Sequence, residues 1–231
     1  MANRRPAFEQ RGARQRARLP WAAARTYKPG TISPAPKDFP MADFAAARLN
    51  MVESQVRPAD VTDVRIHDAM RGLAREAFLP PAKAYLAYAD IEVEYAPGRS
   101  LLKPRDVAKL LQSVRPMPGE RALAIAAPYA AAVLEHLGLA VTRLDAGDLS
   151  QPPAGASYDV IVCEGAVARA PAAWTAALAL RGRLVVVERD GPVGKACLYS
   201  RAEDGVGRRE VFDATPPVMA DFAAQHRFAL E

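Results

Sequence analysis

In the stretch KPRDVAKLLQSV, apolar residues fall at Val107, Leu110, Leu111 and Val114. That i, i+3, i+4, i+7 spacing lines one face of a helix, and Pro104 suits its first turn, where no amide is needed. Two shorter helical patterns precede it. ADFAAARLNMVESQ gathers Phe44, Ala47, Met51 and Val52 near one face and stops before Pro58. TDVRIHDAMRGLA offers Thr62 or Asp63 as its cap and carries Val64, Ile66, Met70 and Leu73. The next stretch, REAFLPPAKAYLAYADIEVEYAPG, is broken by Pro80, Pro81 and Pro97 and predicts no long element.

After Glu120 the period changes. ALAIA, AVTRLD, YDVIVCEG, RLVVVER and KACLYSR are short apolar or β-branched runs that read as strands. YAAAVLEHL, closed by Gly138, and PAAWTAALAL, closed by Gly182, read as the helices between them. Strands alternating with helices predict βαβ units, hence a doubly wound, mostly parallel α/β sheet with helices stacked before it. KACLYSRAEDGVGRREVFDA predicts an antiparallel C-terminal hairpin turning at EDGVG.

Charge changes the picture of the N-terminus only. The 231 residues carry a net +5. Residues 1–40 hold nine Lys/Arg against Glu9 and Asp38, so the remaining 22 basic and 24 acidic residues balance to −2. Residues 1–40, rich in Arg and Pro with few apolar anchors, are expected to be a disordered basic extension; Met41 is an alternative start, and 41–231 form one domain. The body of the chain gives no electrostatic case for nucleic acid. Cys163 and Cys197 lie in apolar runs without metal-type spacing, and read as buried free thiols of a reducing cytoplasm. No apolar run approaches the roughly 18 residues of a membrane span.

In its order of motifs the chain resembles the protein-L-isoaspartate O-methyltransferase family, from about Asn50 to Arg201. NMVESQVRPADVTDVRIHDAMRGLAREAFLP is similar to that family's opening helices, and AYADIEVEYAPGRSLLKPRDVAKLLQSV to its substrate loop and following helix. PGERALAIAAPYAAAVLEHLG is similar to its cofactor loop, and YDVIVCEGAVARAPAAWTAALALRGRLVVV to its later strands. The resemblance implies a Rossmann-like fold of the class I methyltransferase type, S-adenosylmethionine as cofactor and isoaspartyl carboxylates of damaged proteins as substrate. The cysteine spacing and the lack of a long apolar run point to no metal and no membrane partner.

The departures fall on the chemistry. Where the family's turn is rich in glycine, which allows positive φ and close backbone approach, this chain has Ala126, Ala127 and Pro128 before Tyr129 resumes the match. Ala124 replaces an acidic residue, Leu102 falls on the substrate-loop serine, and Ser100 on the threonine before it. AGDLSQPPAGAS is too short for the helix and strand that the family fits there. Asp145, ending the second strand, stands where such folds place a carboxylate for ribose hydroxyls, with Asp148 as the alternative. Glu164 sits at the sheet's carboxyl edge, where it faces cofactor, substrate or solvent; Arg99, Lys103 and Arg105 form a basic cluster around Ser100. The cofactor contacts expected on this alignment are Ala126, Tyr129, Asp145 and Glu164, with Ser100 the one candidate near the reacting groups. Methyl transfer to a carboxylate is chiefly a matter of alignment, so the scattered His67, His136 and His226 read as surface or packing residues. Three outcomes stay open: a methyltransferase with an altered loop, a non-catalytic relative that keeps the fold as a binding module, or a nucleic-acid module that uses the basic extension and binds in a salt-sensitive way.

Overall fold

The computed structural model describes residues 43–223, and the readings for residues 1–40 and for His226 lie outside them. Helix α1 (Phe44–Met51) begins where the Asp43 carboxylate accepts the Ala46 amide at 3.0 Å. It runs on into a π-turn at Val52–Val56 and a 3₁₀ turn at Arg57–Ala59, which closes on left-handed Asp60. For α2 (Val64–Gly72) the cap is Asp63, which accepts the Arg65 amide at 3.0 Å. In α3 (Pro104–Val114) all four residues of the apolar stripe are fully buried. Between α2 and α3 the proline-broken stretch forms two 3₁₀ segments and a small antiparallel hairpin, β1 (Val93–Ala96) with β2 (Arg99–Leu101).

The second half builds β3 (Arg121–Ile125), α4 (Pro128–His136), β4 (Ala140–Leu144), β5 (Tyr158–Val167), α5 (Ala172–Ala176), β6 (Leu178–Glu188), β7 (Gly194–Ala202) and β8 (Gly205–Ala214). They form one sheet in the order β4-β3-β5-β6-β7-β8. The first four strands are parallel; β7 and β8 add the antiparallel hairpin, turning at Glu203 and Asp204. The α/β class, the mostly parallel sheet and the hairpin read from the sequence are all present.

The two faces of the sheet are covered unequally. On one, Ala122, Ala124, Val160, Val162, Val185 and Val187 pack against the apolar sides of α2, α3 and α4. On the other, Leu123, Ile125, Ile161, Cys163, Leu184 and Val186 meet Leu149, Trp174 and Met219. Residues 145–157 supply only turns there, and α5 has five residues. Trp174 does much of the filling: its ring is fully buried and its indole N–H donates to Leu149 O at 2.8 Å. Both cysteines are buried and unbridged, as their apolar setting predicts.

One element differs from the pattern. PAAWTAALAL reads as a helix ended by Gly182, yet α5 stops at Ala176 and β6 starts at Leu178. Gly182 lies inside the strand, where a Cβ would come within 2.7 Å of Ala179 O and 2.8 Å of Tyr158 O. Alanine and leucine fit either period, and pairing with Tyr158 decides for the strand.

Candidate functional site

β4 and β5 pair with opposite sides of β3, so the chain's connections part at the carboxyl end of β3. Open parallel sheets place ligands in the crevice at such a switch point. Three connections meet at this edge: the turn from β3 into α4, the turn after β4, and the end of β5.

The turn from β3 is tight and holds no glycine. Ala126 takes φ +45°, a left-handed conformation rare for a residue with a Cβ. It is held there from both sides, its N–H donating to Leu144 O at 3.0 Å and its carbonyl accepting from the Tyr95 hydroxyl at 3.1 Å. Ala127 then precedes α4 with no side-chain cap, and Pro128 opens the helix without an amide to offer.

The missing cap comes from β5. The register between β5 and β6 slips between Val162 and Ala166, and the bulge carries Cys163, Glu164 and Gly165. Glu164 accepts the backbone N–H groups of Tyr129 and Ala130 at the start of α4, the latter at 3.1 Å, and of Leu102 at 3.4 Å. A carboxylate at a helix N-terminus is favourable, but this one is 1 % exposed. Burial pushes its pKa from 4.5 up to about 7, with Arg75 and the three amides opposing the rise. Arg75 is itself fully buried. Its Nε donates to Ala87 O at 2.8 Å, its Nη2 to Leu102 O, and its guanidinium lies 4.6 Å from the centre of the Tyr129 ring. Among the described residues the Tyr129 hydroxyl and Arg75 Nη1 have no partner.

Ala126, Tyr129 and Glu164 are therefore brought together, enclosed against the N-terminal helices. Asp145 stands apart: its side chain is exposed past the end of β4, while its carbonyl accepts from Arg99 Nη1 at 2.5 Å. Asp148 is committed to its own turn, taking the Ser150 amide at 2.9 Å and hydroxyl at 2.7 Å. Ser100 is half-buried on β2, opposite Glu94. The basic cluster around it is divided among acids: Lys103 faces Glu92 at 3.6 Å, Arg105 faces Asp90 at 3.3 Å, and Arg99 goes to Asp221. His67 packs against the Val61 carbonyl, its Nε2 2.8 Å away. Among the described residues no group of three His, Cys, Asp or Glu side chains could hold a metal ion, and no helix is long and apolar enough to cross a membrane.

The chain after β8 belongs to this edge, and no periodicity announces it. Val218 bridges Ala166 in parallel, the Met219 amide donates to Ala166 O at 2.9 Å, and the Ala220 amide to Gly98 O at 3.3 Å. The Met219 side chain rests on Gly165, where an added Cβ would lie 2.6 Å from its sulfur. Asp221 takes two hydrogen bonds from Arg99, at 2.9 and 3.1 Å, and Phe222 meets Trp174 edge to face at 5.4 Å between ring centres. The one advance sign is Gly165, a strand residue without a side chain.

A nucleoside cofactor at this edge would need bare backbone at the β3 turn and amide donors at the start of α4. Ala126, Ala127, Tyr129 and Gly165 are already buried by the chain's own atoms, and the α4 amides already serve Glu164. In this arrangement the β3 turn and the first α4 amides, the groups that would meet S-adenosylmethionine, are taken up by Glu164 and the N-terminal helices.

No family model matches the chain. A protein-L-isoaspartate O-methyltransferase of Methylorubrum extorquens is 33% identical over 214 residues, covering 81% of this chain and 92% of its own. One from Methylorubrum populi is 35% identical over 198 residues, covering 74% and 92%. Among solved structures, a protein-L-isoaspartate O-methyltransferase superposes with a TM-score of 0.56 at 21% identity, over 70% of this chain and 62% of that one. A Plasmodium falciparum protein described as a beta-aspartate methyltransferase, crystallised with S-adenosyl-L-homocysteine, gives 0.59 at 13% identity, over 77% and 98%. The structural likenesses speak for the fold, and the sequence relatives for kinship.

Proposed function

The chain belongs to the protein-L-isoaspartate O-methyltransferase family, and on that premise we propose that it methylates isoaspartyl carboxylates of damaged proteins with S-adenosylmethionine, in the cytoplasm. The observation that carries this reading is Asp145. It keeps an exposed carboxylate past the end of β4, beside the β3 turn that its neighbour Leu144 holds. In nucleoside-binding α/β sheets that position accepts ribose hydroxyls. Ala126, Tyr129 and Glu164 would be the chain's other approach to the cofactor, and Ser100 lies on the hairpin that the family resemblance marks as the substrate loop. Because Ala126, Tyr129 and Glu164 are buried, the cofactor-binding form is one in which this edge has opened.

The glycine-free turn and the engagement of the α4 amides by Glu164 favour a second reading, a relative that keeps the fold as a binding module without turnover. Calorimetric titration with S-adenosylmethionine and S-adenosylhomocysteine, together with methyl transfer to an isoaspartyl peptide, separates the two. Micromolar binding with transfer supports the enzyme. No heat and no thermal shift at millimolar ligand, with no transfer, supports the module.

A further inference from the structure

Resting on the reading of isoaspartyl proteins as substrate, we propose that residues 218–222 occupy a peptide groove as an internal stand-in for substrate, and that Arg99 is the residue that binds the substrate's carboxylate. The segment is held as a bound peptide would be. Its backbone pairs with protein backbone at Ala166 and Gly98. Met219 fills the space left by Gly165, the Phe222 ring lies against Trp174, and an acidic side chain sits between them in sequence. Backbone pairing with pockets for alternate side chains is how extended peptides are recognised at sheet edges.

The carboxylate is met by a two-pronged guanidinium. Arg99 Nη2 lies 2.9 Å from one Asp221 oxygen and Nε 3.1 Å from the other. The third arm, Nη1, is anchored on Asp145 O at the end of β4, so the fork is fixed in direction. The pair lies at the rim of the edge, with the Arg99 side chain 17 % exposed and that of Asp221 29 %. Pairing holds the Asp221 pKa below its ordinary value, so the group is an anion at neutral pH. Gly98, beside Arg99, takes φ +69° and leaves room for Ala220, whose Cβ an added side-chain carbon would meet at 2.5 Å. The Arg99 loop thus approaches the segment more closely than any residue but glycine allows. A free peptide bearing an isoaspartyl carboxylate, with an apolar residue two places before and an aromatic residue after, offers Arg99 the same anion, with one methylene moved from the side chain into the backbone. Once esterified, that carboxyl carries no charge and loses the fork, which favours release.

The test is binding of a dye-labelled synthetic peptide, Met-Ala-isoAsp-Phe at its centre, to the full chain by fluorescence anisotropy. Asp221→Asn weakens the internal occupant and leaves Arg99 in place, so the peptide should bind about tenfold more tightly, because the competing closed state is less populated. Arg99→Gln, made alone and in the Asp221→Asn background, should weaken binding at least tenfold, and the methyl-ester form of the peptide should be indifferent to it. A structural latch would move both substitutions in the same direction. Weakening by both, no change by either, equal loss for the esterified peptide, or no binding to any variant would each overturn the proposal. Peptide binding with the opposed signs, but without any binding of S-adenosylhomocysteine, would leave this proposal standing and remove the methyltransferase reading.

Discussion

Glu164→Gln removes the charge from the carboxyl that caps α4 while keeping an oxygen for the amides of Tyr129 and Ala130. In the folded chain this group holds its proton up to about pH 7, against 4.5 ordinarily. Between those values the unfolded chain releases a proton that the native chain keeps, so stability falls as pH rises through the window. The contribution is fully present below about pH 4.5 and gone above about pH 7. A displacement of that size corresponds to about 3 kcal/mol. Urea unfolding of wild type and variant across pH 4.5–8 measures it. The difference, wild type minus variant, should decline by about 3 kcal/mol across the window and level off above it. Parallel curves would mean that water reaches this carboxyl, and the picture of an edge sealed by the chain itself would be wrong.

Two further substitutions probe the frame around the edge. Arg75→Met leaves the carbonyls of Ala87 and Leu102 without their donor, so it should cost about 2–4 kcal/mol in urea unfolding and extend the Glu164 window to higher pH, since a cation opposing its rise is gone. Arg183 donates to Val114 O, Arg115 O, Asp159 O and the Glu120 carboxylate, capping α3 from within the sheet. Arg183→Lys should still lose more than about 1 kcal/mol of thermal stability, because an ammonium cannot reproduce the fork; full recovery by lysine would refute that account.

How much of this was written in the sequence depends on the range of the forces involved. The stripe Val107–Val114, the cap at Asp63 and the first-turn Pro104 are local, and α2 and α3 follow from them. The strand runs from ALAIA to KACLYSR are equally local, and their alternation with helices carried the sheet class. The closed edge is not local. Glu164 reads from sequence as a strand-end carboxylate; only the bulge in β5 and the approach of α4 turn it inward. Arg99 and Asp221 lie 122 residues apart, and the segment that joins them is held by single bridges rather than by a repeating pattern. The short connection between β4 and β5 was visible, and its consequence is the thinly covered face that Trp174, Met219 and Phe222 fill. The glycine-free turn was visible too, and its backbone at Ala126 still takes the left-handed conformation that glycine would have made easy.

The claim on which the rest depends is that residues 218–222 are part of the folded edge. Amide hydrogen exchange of the full chain, read at Met219 and Ala220, tests it most directly. The account predicts protection at these two amides approaching that of Ala196 in β7, because both donate to backbone carbonyls across the edge. Exchange at the rate of an unstructured peptide would contradict it.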